Sequence, residues 1–313
     1  MLDQNYPLVF CLMGPTASGK TARACELVQR FPMEIISIDS AMIYRGMNIG
    51  AAKPEADVLA NAPHHLIDIL DPPEVYSAAQ CCTDVQALCQ TILSRGNIPL
   101  LVGGTMMYFN ALQQGLSSLP EADEHVRQSI LQQANELGWA AMHKRLAEVD
   151  PISAERIHAH DTQRVQRALE VFAITHIPLS TLWNEAKTKP PLRFVNLTLM
   201  PDDRANLHAR IAERFKQMLN DGFIDEVEQL IKQWSLTANH SSMRSVGYRQ
   251  VFSYLNNEYD ANTLCEKGIA ATRQLAKRQL TWLRHWPDTL MFSAESPSIE
   301  HVMRTSIEKI LNE

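Results

Sequence analysis

Residues Gly14 to Thr21 read GPTASGKT and follow the apolar run Leu8-Val-Phe-Cys-Leu-Met. The spacing fits GxxxxGK[ST], a loop that leads from a strand into a helix. Glycines let the backbone approach phosphate oxygens, and the amides at a helix N-terminus attract anions. In that geometry Gly14, Pro15, Thr16, Ala17, Ser18 and Gly19 surround a diphosphate. Lys20 adds positive charge, and the Thr21 hydroxyl is a ligand for Mg²⁺. The loop reports a diphosphate and not its bearer. That could be a nucleotide to be hydrolysed, a nucleotide donating a phosphoryl group, or another molecule.

Outward from the loop, the pattern turns helical after Thr21, with Ala22, Cys25, Leu27 and Val28 able to share a buried side until Phe31-Pro32. Glu34-Ile-Ile-Ser-Ile predicts a buried strand that delivers Asp39. His65 to Leu70 predicts another short strand, 77–95 a helix, and Ile98-Pro-Leu-Leu-Val-Gly a strand ending in two glycines before Thr105. Strands alternating with helices predict a parallel sheet with helices on both faces, and ligands then sit outside the carboxyl ends of the strands. Gly14–Thr21, Asp39 and Thr105 all fall at such ends. The fold class expected is α/β, a parallel-sheet core like that of the phosphate-loop NTPases. Between about Gly115 and Pro191 only helical patterns occur, at 124–137, 139–149, 151–158 and 162–176. This block reads as an all-helical insertion, giving 1–114 as the first part of the core, 115–192 as the insertion and 193–313 as the rest. Strand pattern resumes at Arg193, and helices follow at 203–219, 224–234 and around 264–285.

With 45% hydrophobic and 20% charged residues, the 313-residue chain has the balance of a globular protein with a substantial core. No run of about 20 apolar residues offers a membrane span. The N-terminal MLDQNYP does not read as a secretory signal. The six cysteines lack CxxC spacing and finger-type His partners, so they read as reduced thiols of a cytoplasmic protein. A net charge of −6 argues against nonspecific coating of nucleic acid, though not against a local basic groove.

Asp39 has two readings. It is a helix cap or magnesium-side carboxylate, or it is a general base facing the bound phosphates. Thr105, after two glycines, reads as a helix cap first. The C-terminal helix places Cys265, Ile269, Thr272, Ala276, Leu280 and Leu283 on a buried stripe, with Arg273, Lys277 and Arg284 beside it. The cations read either as a solvated face or as phosphate contacts for a nucleic acid. Arg244-Ser-Val-Gly-Tyr248-Arg249 sets two guanidinium groups about a glycine and an aromatic, a composition suited to RNA with unstacked bases. Gln163-Arg164-Val-Gln-Arg167 puts two cations one helical turn apart.

GPTASGKT, IDSAMIYRGMNIGAAKP, PLLVGGTMMYFNAL, QRVQRALEVF, SVGYRQ and ATRQLAKRQLTWLR, in this order and at these distances, resemble the bacterial tRNA dimethylallyltransferases, also called tRNA isopentenyltransferases. The resemblance spans nearly the whole chain and is least informative over the last twenty or so residues. It implies transfer of a dimethylallyl group from dimethylallyl diphosphate to N6 of the adenosine 3′ of the anticodon, adenosine-37, giving N6-dimethylallyladenosine (i6A) and diphosphate. It also implies a helical insertion that grips the anticodon stem-loop. Gly14 to Thr21 would hold the donor diphosphate, a loop often described in the family as binding ATP. Asp39, Ser40, Ala41 and Met42 would meet the adenosine, with Asp39 as base, and Thr105 and Arg127 would touch the tRNA. Gln163, Arg164, Val165, Gln166 and Arg167 would line the RNA path. So would Arg244, Ser245, Val246, Gly247, Tyr248 and Arg249. A third segment, Lys277, Arg278, Gln279, Leu280, Thr281, Trp282, Leu283 and Arg284, would join them. Arg214 would add charge near the leaving diphosphate, with Arg210 one turn away as the competing candidate. The partners implied are tRNA and the prenyl diphosphate, with Mg²⁺ as cofactor, no membrane and no obligate protein partner, the chain acting as a monomer. The zinc finger of eukaryotic relatives finds no Cys and His ligands here.

Three rivals follow from the residues. A phosphate-loop small-molecule kinase leaves the basic terminal helix and RSVGYR without a task. Prenyl transfer to free AMP leaves QRVQR and the C-terminal patches unexplained. A non-catalytic RNA-binding protein does not require Lys20, Thr21, Asp39 and Thr105 on one rim.

Overall fold

The computed structural model describes residues 6–117, 119–183 and 189–312. The first five residues, on which most of the reading of the N-terminus rests, lie outside them. The chain divides into two compact units, Met1–Ala111 with Pro191–Glu313, and Leu112–Pro190.

In the first unit, β1 (Leu8–Met13), α1 (Lys20–Arg30), β2 (Met33–Ile38), α2 (Ala56–Asn61), β3 (His64–His65), α3 (Ala78–Ser94) and β4 (Ile98–Gly103) precede α4 (Met106–Gln114). The second unit holds α5 (Glu124–Leu137), α6 (Trp139–Val149), α7 (Pro151–Arg156), α8 (Thr162–Thr175) and α9 (Leu179–Trp183). The first unit then resumes with β5 (Arg193–Met200), α10 (Arg204–Asn220), α11 (Phe223–Trp234), α12 (Tyr248–Leu255), α13 (Ala261–Arg284), β6 (Thr289–Ser293) and α14 (Ile299–Leu311).

The six strands form one sheet in the order β3-β2-β4-β1-β5-β6, and every neighbouring pair is parallel. β1 is central, with Phe10 beside Leu100 of β4 and Val195 of β5. A parallel strand covered on both faces has no polar side, which is why Val9 to Met13 are all buried and the run is continuously apolar. Phe10, Leu12, Leu27, Leu100 and Leu197 share a core with Ile299, Met303 and Ile307 of α14. β1, β4 and β2 are neighbours, so the loops after them emerge side by side. These carry Gly14–Thr21, Gly104-Thr105 and Asp39. A second core packs Ile43, Tyr44 and Met47 against Phe215, Phe223, Val227 and Tyr248.

The sequence pattern and the structure differ in several places, among them the short helices α2 and α9, which no pattern marked. The strand expected at His65–Leu70 stops after His65, because Leu66 (φ 62°) and Asp68 (φ 54°) turn the backbone left-handed. β6 and α14 are present although no pattern marked them. α12 begins within SVGYRQ, in a stretch read as an RNA contact rather than as a helix.

The second unit is all-helical about Ile130, Met142, Leu146, Val165, Leu169 and Val171. Asp150, 2% exposed, ends α6 and caps α7. Its carboxylate accepts from the amide and hydroxyl of Ser153 (3.0 and 2.6 Å) and of Ser180 (2.9 and 2.6 Å). Burial alone would raise its pKa, but the hydrogen bonds from Ser153 and Ser180 outweigh burial and hold it below the usual carboxylate value.

Gly103 lies where β4 meets the end of β2, and a Cβ there would come to 2.0 Å from the Ile38 carbonyl oxygen. Since that neighbour is backbone within the sheet, Gly103→Ala is expected to cost about 3 kcal/mol, read as a lower urea midpoint. An unchanged midpoint would contradict this packing.

Candidate active site

The phosphate loop is held from three sides. Ala17 (φ 61°) and Gly19 (φ 81°) take left-handed conformations that curl the chain before α1. The Ser18 amide donates to the Pro15 carbonyl at 3.3 Å, and Lys20 Nζ donates to the same oxygen at 3.2 Å. From α13, Gln279 Oε1 accepts the Thr16 amide at 2.8 Å, and its Nε2 donates to the Gly104 carbonyl at 2.9 Å. One side-chain amide thus ties the loop to the end of β4. Gly104 suits this contact, since a Cβ there would meet Gln279 Nε2 at 2.4 Å. From α10, Arg214 donates to the Thr16 hydroxyl.

The electrostatics are those of a site prepared for an anion. Burial lowers the pKa of Lys20 to about 8, opposed by Asp39 and assisted by Arg214. Burial also lowers Arg214, again opposed by Asp39. Two largely shielded cations beside a helix N-terminus hold positive charge that a diphosphate would neutralise.

Asp39 Oδ1 accepts the amides of Ala41 (2.9 Å) and Met42 (3.3 Å), which fixes the turn after β2. The Thr105 carbonyl accepts from Tyr108 at 2.9 Å and so begins α4, while its hydroxyl accepts the Ser40 amide at 3.1 Å. Thr105 therefore serves as a cap through its backbone and as a brace for the Asp39 turn through its side chain.

These groups line a cavity of about 460 Å³ within the first unit. Thr16, Lys20, Thr21, Asp39 to Met42, Thr105 and Arg214 are on its wall. Arg244, Ser245, Val246, Gly247, Arg278 and Trp282 join them. The sequence reading assigned no role to Gly50, Ala51 and Ala52, which form another wall, or to Met106 and Met107. The small residues of IGAAKP were the available signal, since only short side chains leave a cavity beside a close-packed loop.

Arg210, the competitor of Arg214, is bonded to Glu295 at 2.6 Å, so Arg214 is the arginine that reaches the loop. Several RNA-contact assignments are corrected. Gln279 is buried and braces the phosphate loop. Leu280 packs on Leu207 and Ile211, and Leu283 and Val165 are fully buried, so their side chains face the interior. Tyr248 is also fully buried and donates to Glu226 at 2.6 Å, so it offers no ring for a base. On α13 the buried stripe is Leu264, Gly268, Thr272, Ala276, Gln279, Leu280 and Leu283, displaced by about one residue from the expected one at its start. Cys265 and Ile269 are half-buried.

Lys277, Arg278, Thr281, Trp282 and Arg284 are exposed on α13, as are Arg244 and Arg249. In the second unit Gln163 and Arg164 are exposed and Gln166 is half-buried. Arg127 and Arg167 there converge on buried Glu170, at 2.9 and 2.8 Å. Among the described residues no group of three or more His, Cys, Asp or Glu side chains could hold a metal ion. Any Mg²⁺ would therefore depend on Thr21 and on oxygen atoms brought by the substrate, the mode in which this ion commonly binds.

A family model described as IPP transferase matches residues 42–286, and the chain belongs to that family. It is 59% identical over 305 residues to a tRNA dimethylallyltransferase of Legionella pneumophila, covering 97% of each chain. It is 52% identical over 294 residues to the enzyme of that name from Thiobacillus denitrificans, covering 94% of each. Among solved structures, the full-length tRNA isopentenylpyrophosphate transferase of Bacillus halodurans is 33% identical with a TM-score of 0.72, covering 97% of both chains. A eukaryotic dimethylallyltransferase acting on tRNA is 26% identical with a TM-score of 0.79, over 98% of this chain and 80% of that one.

Charge on Lys20 costs the empty fold stability below pH about 8, and the cost is relieved as pH rises toward 10.5. A bound diphosphate reverses this preference. Between those pH values binding is expected to take up a proton, measured by calorimetry in buffers of different ionisation enthalpy, and Lys20→Met should abolish the uptake. Gln279→Leu leaves the Thr16 amide and the Gly104 carbonyl without their partner, so the fold should lose about 1–3 kcal/mol, read as a lower urea midpoint.

Proposed function

We propose that this member of the IPP transferase family transfers the dimethylallyl group of dimethylallyl diphosphate to N6 of adenosine-37 in tRNA, leaving i6A and diphosphate. The observation that carries the reading is a single cavity that joins the phosphate loop and Arg214 to Asp39, and these to Arg244, Arg278 and Trp282. Donor, base and RNA-type contacts thus share one site.

The exocyclic amine is a weak nucleophile because its lone pair is delocalised into the base. The allylic carbon compensates, since positive charge at C1 spreads over the alkene. As the N6–C1 bond forms, the C1–O bond breaks and its electron pair leaves with diphosphate. The amides at the N-terminus of α1, with Lys20 and Arg214, stabilise that growing negative charge. Asp39 accepts the proton from N6. Mg²⁺, held by Thr21 and the substrate, would supply further charge neutralisation on the diphosphate. The adenosine must leave its stack, at a cost of a few kcal/mol, which exposed Trp282 and the arginines help offset. Exposed Gln163 and Arg164 of the second unit, with Arg127 and Arg167 held beside them by Glu170, would extend the contacts to the anticodon stem-loop.

Neither a small-molecule kinase nor AMP prenylation finds support among the relatives. No helix of the described residues is long and apolar enough to cross a membrane. A tRNA substrate fits action in the cytoplasm.

Asp39→Ala is expected to slow single-turnover prenyl transfer by about 10²–10⁴-fold, the usual effect of removing a general base, with tRNA affinity kept within a few-fold. Transfer at the wild-type rate would remove Asp39 from the chemistry.

A further inference from the structure

Glu226 stands in the first turn of α11, behind the cavity and not on its wall. Its Oε2 accepts the amides of Asn48 (2.9 Å) and Ile49 (2.6 Å). Its Oε1 accepts the amide of Gly50 (3.2 Å) and the hydroxyl of Tyr248 (2.6 Å). Three successive amides turned to one side make a concavity that binds anions, and here the anion is the protein's own carboxylate.

Each partner leads directly into a cavity wall. Gly50 continues into Ala51 and Ala52, and Tyr248 follows Arg244 to Gly247. The two segments also touch through α11 and α12. A Cβ on Gly50 would meet the Phe223 ring at 2.1 Å and Tyr248 at 2.7 Å, and one on Gly247 would meet Phe223 at 3.2 Å. Lys53 anchors the far end of the first segment. It donates to the Tyr44 carbonyl (2.6 Å), to Asn48 Oδ1 (3.2 Å) and to Asp68. The phosphate loop is braced separately, by Gln279 and Arg214.

We propose that Glu226 is a positioning residue for prenyl transfer, holding the 50–52 wall and the 244–247 wall in register by filling the amide concavity at 48–50 while receiving the Tyr248 hydroxyl. The catalytic part of this inference rests on the function proposed above. A carboxylate is needed because all four groups are donors. A glutamine of the same size has one accepting oxygen and turns an N–H toward the rest; the Tyr248 hydroxyl can reverse to accept it but a backbone amide cannot, so at least one of the four bonds is opposed. Since the diphosphate grip is built elsewhere, loosening these walls should impair the reaction without releasing the anion.

The test compares wild type, Glu226→Gln and Tyr248→Phe by amide exchange, by transfer to tRNA and by inorganic diphosphate binding. In Glu226→Gln, exchange at 48–50 and 245–247 should rise at least tenfold, with exchange in β1 and β4 unchanged. Its kcat/KM for tRNA should fall at least tenfold, while the Kd for diphosphate stays within twofold. Tyr248→Phe, which keeps the three amide bonds, should shift exchange and kcat/KM in the same direction by less, and it carries the test if Glu226→Gln does not fold. Unchanged exchange at these segments would overturn the proposal, as would loss of transfer in step with loss of diphosphate binding. Absence of transfer by wild type would instead refute the proposed reaction, and exchange would still decide the brace.

Discussion

Lys20 of the phosphate loop and Arg214 of α10 are two half-buried cations at one site, and burial lowers the pKa of each. Burial of like charges without a full counter-charge is unfavourable, and Asp39 offsets it only in part. The surrounding architecture makes this arrangement persist. Parallel pairing of β1, β4 and β2 puts the loop, Thr105 and Asp39 side by side. Gln279 and Arg214 fix the loop from α13 and α10. On the proposed function a diphosphate would complete the charge balance, and the site would favour its departure from carbon.

The same construction accounts for the rest of the cavity. α13 turns Gln279 inward to the loop and leaves Arg278 and Trp282 on the cavity wall. One helix thereby joins the anion grip to contacts suited to a nucleotide. On the opposite side Glu226 gathers two chain segments by accepting four hydrogen bonds. Rigid walls matter for this chemistry because an amine with a delocalised lone pair gains most from being held in line with the carbon it attacks.

Much of this was legible in the sequence. The loop, the buried strands and the helical block declare themselves through spacing and periodicity, and Asp39 and Thr105 through their place after apolar runs. Partners were less legible than burial. Gln279 sits in a basic helix and was read as facing RNA, although its neighbour Leu280 belongs to the buried stripe. Tyr248 was read as a platform for a base, but it ends in a core beside Phe223 and spends its hydroxyl on Glu226. Glu226 gives no signal, because its three amide partners lie more than 170 residues earlier in the chain. β6 escaped notice for a different reason. It is a short edge strand, and Leu290 and Met291 remain exposed, so it lacks the continuous buried run of β1.

On the proposed function the loop carries the diphosphate of a prenyl donor whose acceptor is tRNA. The direct measurement offers the purified protein and Mg²⁺ labelled dimethylallyl diphosphate with either unmodified tRNA or AMP, beside a parallel mixture of labelled ATP and tRNA. Label is expected on tRNA alone, at adenosine-37, with ATP unchanged. Label on AMP, or consumption of ATP without prenyl transfer, would contradict it.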